Sequence, residues 1–149
     1  AIFEKNGSAV ACIHAGWQGL VNGVIAKTVA LMPTSYKLFA VIGACISLPA
    51  YEVDQHLAEH IIDEVVTNKL VLLDRQVLFD MLIKPSHNSD KAYIDIKRLA
   101  QLQLEKFGIT VLNDTVPCSY LSPKYYSYRL QTHTNRPAIG RMAMLIIKK

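Results

Sequence analysis

Apolar and polar positions along this chain alternate with two different periods, and the changes of period predict its elements. Ala9-Val10-Ala11-Cys12-Ile13 is a run of small and β-branched residues, which predicts a buried strand over 9–13. Similar short runs predict strands at Leu38–Ile42, Ala92–Ile94, Val111–Asn113, Tyr125–Tyr128 and Met142–Ile147. The N-terminal residues read as a further strand entering a turn at Asn6-Gly7, a strong hairpin signal. Helical spacing appears instead at Leu20–Leu31, Asp54–Thr67 and Ile96–Phe107. Leu57, Ile61, Ile62, Val65 and Val66 form the apolar stripe of the second helix, with Asp54 available as its N-cap. The third carries Leu99, Leu102 and Phe107 on related faces, with Asp95 placed to cap its start and Gly108 to end it. Lys69–His87 mixes an apolar run with Pro85-Ser86-His87-Asn88 and reads as irregular structure or a short helix over the sheet. Helices fall between strands early while strands cluster late, which predicts an α/β (α+β) fold with a mixed sheet.

Composition sets limits on this picture. With 149 residues and 51% apolar content, the chain can bury one sizeable core in a single domain. No apolar run approaches the roughly 20 residues of a membrane span, so no membrane partner is expected. The first residues lack the basic and apolar regions of a signal peptide. Three cysteines without tight spacing point to reduced thiols and a cytoplasmic setting. The net charge of +4 is spread out, the densest basic stretch being Lys148-Lys149, so no nucleic-acid partner is implied. A mildly positive chain suits an anionic small substrate.

The candidate chemistry starts at His14-Ala15-Gly16-Trp17. The predicted strand delivers an imidazole and an indole to its end, where Gly16 permits a tight turn before the first helix. Strand-to-helix junctions gather backbone N–H groups and a helix dipole, and α/β proteins place ligands there. A neutral His at such a point can bind a metal or accept a proton; its plainer role is that of a hydrogen-bonded core residue. His14 is expected to stand in or beside a cleft, reachable by solvent.

Other landmarks follow in order: Ile42-Gly43-Ala44-Cys45-Ile46, Tyr51-Glu52-Val53, Tyr93-Ile94-Asp95-Ile96, Cys118-Ser119-Tyr120, Tyr126-Ser127-Tyr128-Arg129 and Gly140-Arg141-Met142-Ala143. With His14-Ala-Gly-Trp17-Gln-Gly-Leu20, this ordered set resembles the YfiH-like, or laccase-domain, family over nearly the whole chain. The resemblance implies a layered mixed-sheet sandwich with helices on the outside. It implies a zinc-dependent purine nucleoside phosphorylase acting on adenosine, inosine and related nucleosides with phosphate, with adenosine deamination as a companion activity. It makes His14 a zinc ligand and catalytic residue. The family takes two further ligands from upstream, an early His and the Cys of an Ala-Asp-Cys segment, and neither segment is present in this sequence. The expectation is therefore one family domain, residues 1–149, lacking the N-terminal segment and holding zinc weakly.

The remaining candidates are read one at a time. Arg129 and Arg141 match arginines of the closing block and could hold an anion through their planar forks, or could cover an apolar edge. Trp17 and Tyr128 could stack on a purine, though core packing is the commoner role. Cys45 sits in a loop that the family uses near its pocket. Cys118 could join His14 as a metal ligand or be a buried small residue. Cys12 shares a strand face with His14 and is expected to be a core residue. His56 and His60, at i and i+4, are expected on a solvated helix face. Gln18 and Leu130 stand where the family has Arg, Gly43-Ala44 replaces its Gly-Pro, and Gln131–Ile139 lengthens the link to Gly140-Arg141. Two other readings remain. One is a copper-dependent polyphenol oxidase of laccase type, which the five scattered His disfavour. The other is a non-catalytic remnant serving as an interaction domain. Homo-oligomerisation is left open.

Overall fold

The computed structural model describes residues 1–33, 36–134 and 140–148. Two sheets organise it. The first has the order β2-β1-β3-β7, built from β1 (Ile2–Glu4), β2 (Val10–Ala11), β3 (Leu38–Ala40) and β7 (Thr110–Val111). β1 runs antiparallel to β2, with Ile2 opposite Ala11, and to β3, with Phe3 opposite Phe39. β3 and β7 are parallel, so the sheet is mixed as the element order predicted. The second sheet, β4-β6-β5, is antiparallel and comprises β4 (Glu52–Asp54), β5 (Ile83–Pro85) and β6 (Lys91–Ile94).

The Asn6-Gly7 turn closes the first hairpin as its sequence requires. Gly7 takes a φ of 73°, where a side chain would be strained, and Asn6 accepts a hydrogen bond from the Ser8 N–H at 2.9 Å. At the other edge, Asn113 continues the sheet with its side chain. Its amide accepts from the Ile42 N–H at 2.9 Å and donates to the Ile42 carbonyl at 2.8 Å.

Helices α3 (Gln55–Thr67), α4 (Arg75–Leu82) and α5 (Ile96–Lys106) carry most of the core. α3 lies on β4 and β6, α4 on α3, α5 and β5, and α5 reaches β7, α1 (Trp17–Val21) and α2 (Val24–Leu31). Ala58, Ile61, Ile62 and Val65 of α3 are fully buried, while Leu57 and Val66 flank them half-buried. Asp95 caps α5 by accepting the Arg98 N–H at 2.9 Å. Gln103 is buried on the same helix, and its amide donates to the Leu20 carbonyl at 3.1 Å, tying α5 to α1. Glu4 is the exception in the core: it is 1% exposed, and neither carboxylate oxygen has a hydrogen-bond partner among the described residues.

Several expectations are corrected. The helix over 20–31 is two helices, α1 (Trp17–Val21) and α2 (Val24–Leu31), broken at Gly23 with φ 71°. The left-handed backbone there calls for glycine, and a Cβ would also lie 3.1 Å from the Leu70 Cδ2, pressing on that side chain. Lys69–His87 contains α4, capped by Asp74, and the strand β5. Asp54 occupies the N-cap position of α3, but its side chain accepts no capping bond. Phe107 lies 40% exposed beyond the end of α5. The strand over 9–13 shortens to two half-buried residues, and Cys12 is exposed rather than in the core. Tyr125–Tyr128 is no strand; Tyr128 starts the short helix α6 (Tyr128–His133). Met142–Ile147 forms no strand with any of the described residues, and most of its side chains are exposed.

Candidate functional site

His14 leaves β2 three residues after its end and stands exposed ahead of α1. Gly16 is extended, with φ −69°, so its role is not a left-handed turn; a Cβ there would sit 3.5 Å from the His14 Nε2. Trp17 opens α1 half-buried against the core, its ring edge-on to His60 with centroids 6.4 Å apart. His60 and His56 are both exposed on α3. The C-terminal segment crosses this region: the Cys12 thiol donates to the Met144 carbonyl at 3.1 Å, and Met144 lies over Gly43, where an added Cβ would meet its sulfur at 2.8 Å.

A second cluster gathers around residues 45–47. Cys45 and Cys118 are partners in an isolated parallel bridge, closed by Cys45 N–H to Pro117 O at 3.3 Å and Ser119 N–H to Cys45 O at 2.9 Å. The Cys118 sulfur accepts the N–H groups of Ser47 and Leu121 at 3.3 and 3.4 Å. Burial works to raise the Cys118 thiol, but the Ser47 side chain and these main-chain donors outweigh it and hold it below its ordinary value. The Ser47 hydroxyl itself is buried without a hydrogen bond of proper geometry among the described residues. Cys45 differs: burial, opposed by Lys97, pushes its thiol up to about 11. Cys45, Ser47, Leu48, Pro49, Asp95, Lys97 and Val116 line a cavity of about 210 Å³.

The two arginines lie elsewhere. Arg129 donates to the Glu52 carbonyl and stacks over Tyr51 at 4.9 Å, while its Nε is buried without a partner among the described residues. Burial raises the Tyr51 phenol, partly offset by this guanidinium. Arg141 is exposed, lies over Tyr126 at 5.8 Å and donates to the Gly140 carbonyl. Tyr128 is 70% exposed. Part of the Gln131–Ile139 link, residues 135–139, falls outside the described residues. Sequence reasoning missed Ser47, Lys97 and the Cys45–Cys118 bridge, because pairing between residues 73 positions apart leaves no local periodicity.

A metal site requires converging donors. Among the described residues no three His, Cys, Asp or Glu side chains approach closely enough to hold an ion. His14 has no such partners there, and the hydrogen bonds to Cys118 come from residues 47 and 121. The described residues therefore do not fit a zinc or copper centre by themselves.

The two-sheet mixed α/β fold and the ordered landmarks define the class. The chain belongs to the multi-copper polyphenol oxidoreductase laccase family, whose model matches residues 1–149. A Rickettsia prowazekii protein named purine nucleoside phosphorylase is 27% identical over 149 residues, covering 98% of this chain and 58% of its own length. A Pseudomonas aeruginosa protein of the same name is 28% identical, covering 96% of this chain and 53% of its own. The chain thus spans little more than half the length of these relatives. A solved Neisseria meningitidis protein of family DUF152 superposes with a TM-score of 0.65 at 28% identity, over 87% of this chain and 49% of its own. The Bacillus licheniformis protein YfiH shares the fold, with a TM-score of 0.62 at 22% identity, over 88% of this chain and 48% of its own. No helix among the described residues is long and apolar enough to cross a membrane.

Proposed function

We propose that this chain serves purine nucleoside phosphorolysis, with inosine and adenosine as substrates and phosphate as the second reactant. The observation that carries the reading is the match of almost the entire chain to relatives named purine nucleoside phosphorylase. In such a reaction a phosphate oxygen bonds to C1′ as the bond from C1′ to the base nitrogen breaks, and the departing base takes a proton. The ribose passes through a cationic, oxocarbenium-like state. His14, exposed at the β2–α1 junction, supplies an imidazole able to hold or pass that proton. Arg141 offers an exposed fork for the phosphate, and the free N–H of Arg129 is a further donor that an anion would satisfy. Tyr128 presents an open aromatic face for a purine, and Trp17 bounds the region near His14.

No step is routed through zinc or copper, since the described residues do not assemble their donor sets. Polyphenol oxidation, which the family's description names, would need the same kind of convergence for copper.

The test uses the protein as its gene encodes it. Hypoxanthine release from inosine should require phosphate, and Arg141→Ala should raise the KM for phosphate more than that for inosine. Equal release without phosphate, or an Arg141→Ala variant with parental phosphate kinetics, overturns the assignment. Rapid oxidation of a phenolic dye instead favours the oxidase. No turnover of either substrate favours an interaction domain.

A further inference from the structure

We propose that Cys45 and Cys118 are a redox-active dithiol, condensing to an intramolecular disulfide at the wall of the cavity when the chain meets a small-molecule disulfide such as oxidised glutathione. The proposal does not rest on the phosphorylase reading. Its foundation is the parallel bridge between the two residues. Paired residues of a parallel ladder share one face, and neighbouring strands lie about 4.8 Å apart, inside the roughly 4.4–6.8 Å Cα window of a disulfide. Two hydrogen bonds, at 3.3 and 2.9 Å, fix the segments in that register.

The surroundings divide the labour between the sulfurs. Cys118 accepts two main-chain N–H groups, which stabilise a thiolate, so it is the attacking sulfur. Cys45 lines the cavity wall, is pushed up by burial and acts second. The Cys118 thiolate attacks one sulfur of the incoming disulfide, whose S–S bond breaks and whose other half leaves as a thiolate and takes a proton. Cys45, losing its proton, then attacks the Cys118 sulfur and expels the second small thiol. The protein loses two hydrogens, and one disulfide becomes two thiols. Lys97, which lines the same cavity, offers a cation to the carboxylates of a peptidic disulfide. The Cys12 thiol is engaged elsewhere, with the Met144 carbonyl.

The experiment places the reduced chain in buffers of oxidised and reduced glutathione, blocks remaining thiols with N-ethylmaleimide and maps tryptic peptides by mass. The three cysteines fall in separate peptides, 6–27, 38–69 and 107–124. The expected product links 38–69 to 107–124, with Cys12 still alkylated. Cys45→Ser should trap glutathione on Cys118, and Cys118→Ser should slow modification of Cys45 by about tenfold or more. The same oxidation in urea should lose the preference for the 45–118 pair. The proposal is overturned if the folded parent chain stops at a mixed disulfide on Cys118. It is equally overturned if Cys12 pairs as fast as Cys45, or if the unfolded chain shows the same preference.

Discussion

Helices α3, α4 and α5 and the stretch after β7 are both rich in apolar residues, yet they end differently. In the helices each apolar stripe finds a neighbour, and Ile61, Leu78 and Leu99 are completely buried. After β7, Leu112, Leu121, Tyr128, Leu145 and Ile147 are each more than half exposed. A helix satisfies its own backbone and needs only a surface to lie on. A strand instead needs a partner in register, and Met142–Ile147 finds none among the described residues. Periodicity therefore forecast α3 and α5 well, left α4 as one of two readings of Lys69–His87, and forecast the second region poorly.

The sharpest way to break this comparison is to cut both regions to alanine. Leu99→Ala should lower unfolding free energy by about 2–5 kcal/mol in urea titrations, because it leaves a cavity among buried neighbours. Leu145→Ala should stay within about 0.5 kcal/mol of the parent. Equal costs would mean that the C-terminal segment is packed as firmly as the core.

Removing the buried exception should move stability the other way. Glu4→Met should stabilise by about 1–3 kcal/mol, since it removes a carboxylate that has lost water without gaining a partner among the described residues. A destabilised variant in the same titration would show that Glu4 is satisfied after all.

Smaller effects sharpen the helical side. Asp95→Ala should cost about 1 kcal/mol by releasing the Arg98 N–H, whereas Asp54→Ala, at a cap position without a capping bond, should cost clearly less. Much of this was legible: Asp95, Gly108 and the α3 stripe follow from capping and 3.6-residue spacing alone. The break at Gly23 had a local signal in Asn22-Gly23, which the apolar spacing on either side overrode, whereas strand β5 was missed because its ladder partner β6 is recognisable only in three dimensions. The same limit applies to the candidate site. His14 and Cys45 were readable as strand-end and loop residues, but the bridge that sets Cys45 beside Cys118 was not.

The smallest effect is a pH dependence on the second sheet. The Ser86 hydroxyl, 2.5 Å from a Glu52 carboxylate oxygen, holds that group below the usual carboxylate range, helped by Lys91 and opposed by partial burial. A folded-state value below the unfolded one stabilises above the unfolded value and is lost as pH falls through the folded one. Ser86→Ala should therefore lower Tm slightly at neutral pH, and the difference should vanish under acid conditions where Glu52 is protonated in both states. A difference that persists or grows in acid would assign it to packing instead. His14→Ala should leave Tm nearly unchanged, as the ring is exposed.

The Asn113 amide has a consequence for exchange with solvent. Because a side chain holds the Ile42 N–H, deuterium uptake at that amide reports the rotamer of one residue and not the opening of a strand. Asn113→Asp keeps the acceptor for that N–H but turns an anion toward the Ile42 carbonyl, so it should speed uptake at Ile42 and leave Ala40 unchanged. After Val111 the main chain makes one more bond to β3, from the Leu112 N–H to the Ala40 carbonyl at 2.9 Å, before the Asn113 side chain takes over. The same amide donates to the Thr115 carbonyl at 3.4 Å, and Pro117 O accepts the Cys45 N–H, so a single carboxamide links the end of the sheet to the segment that carries the thiol pair.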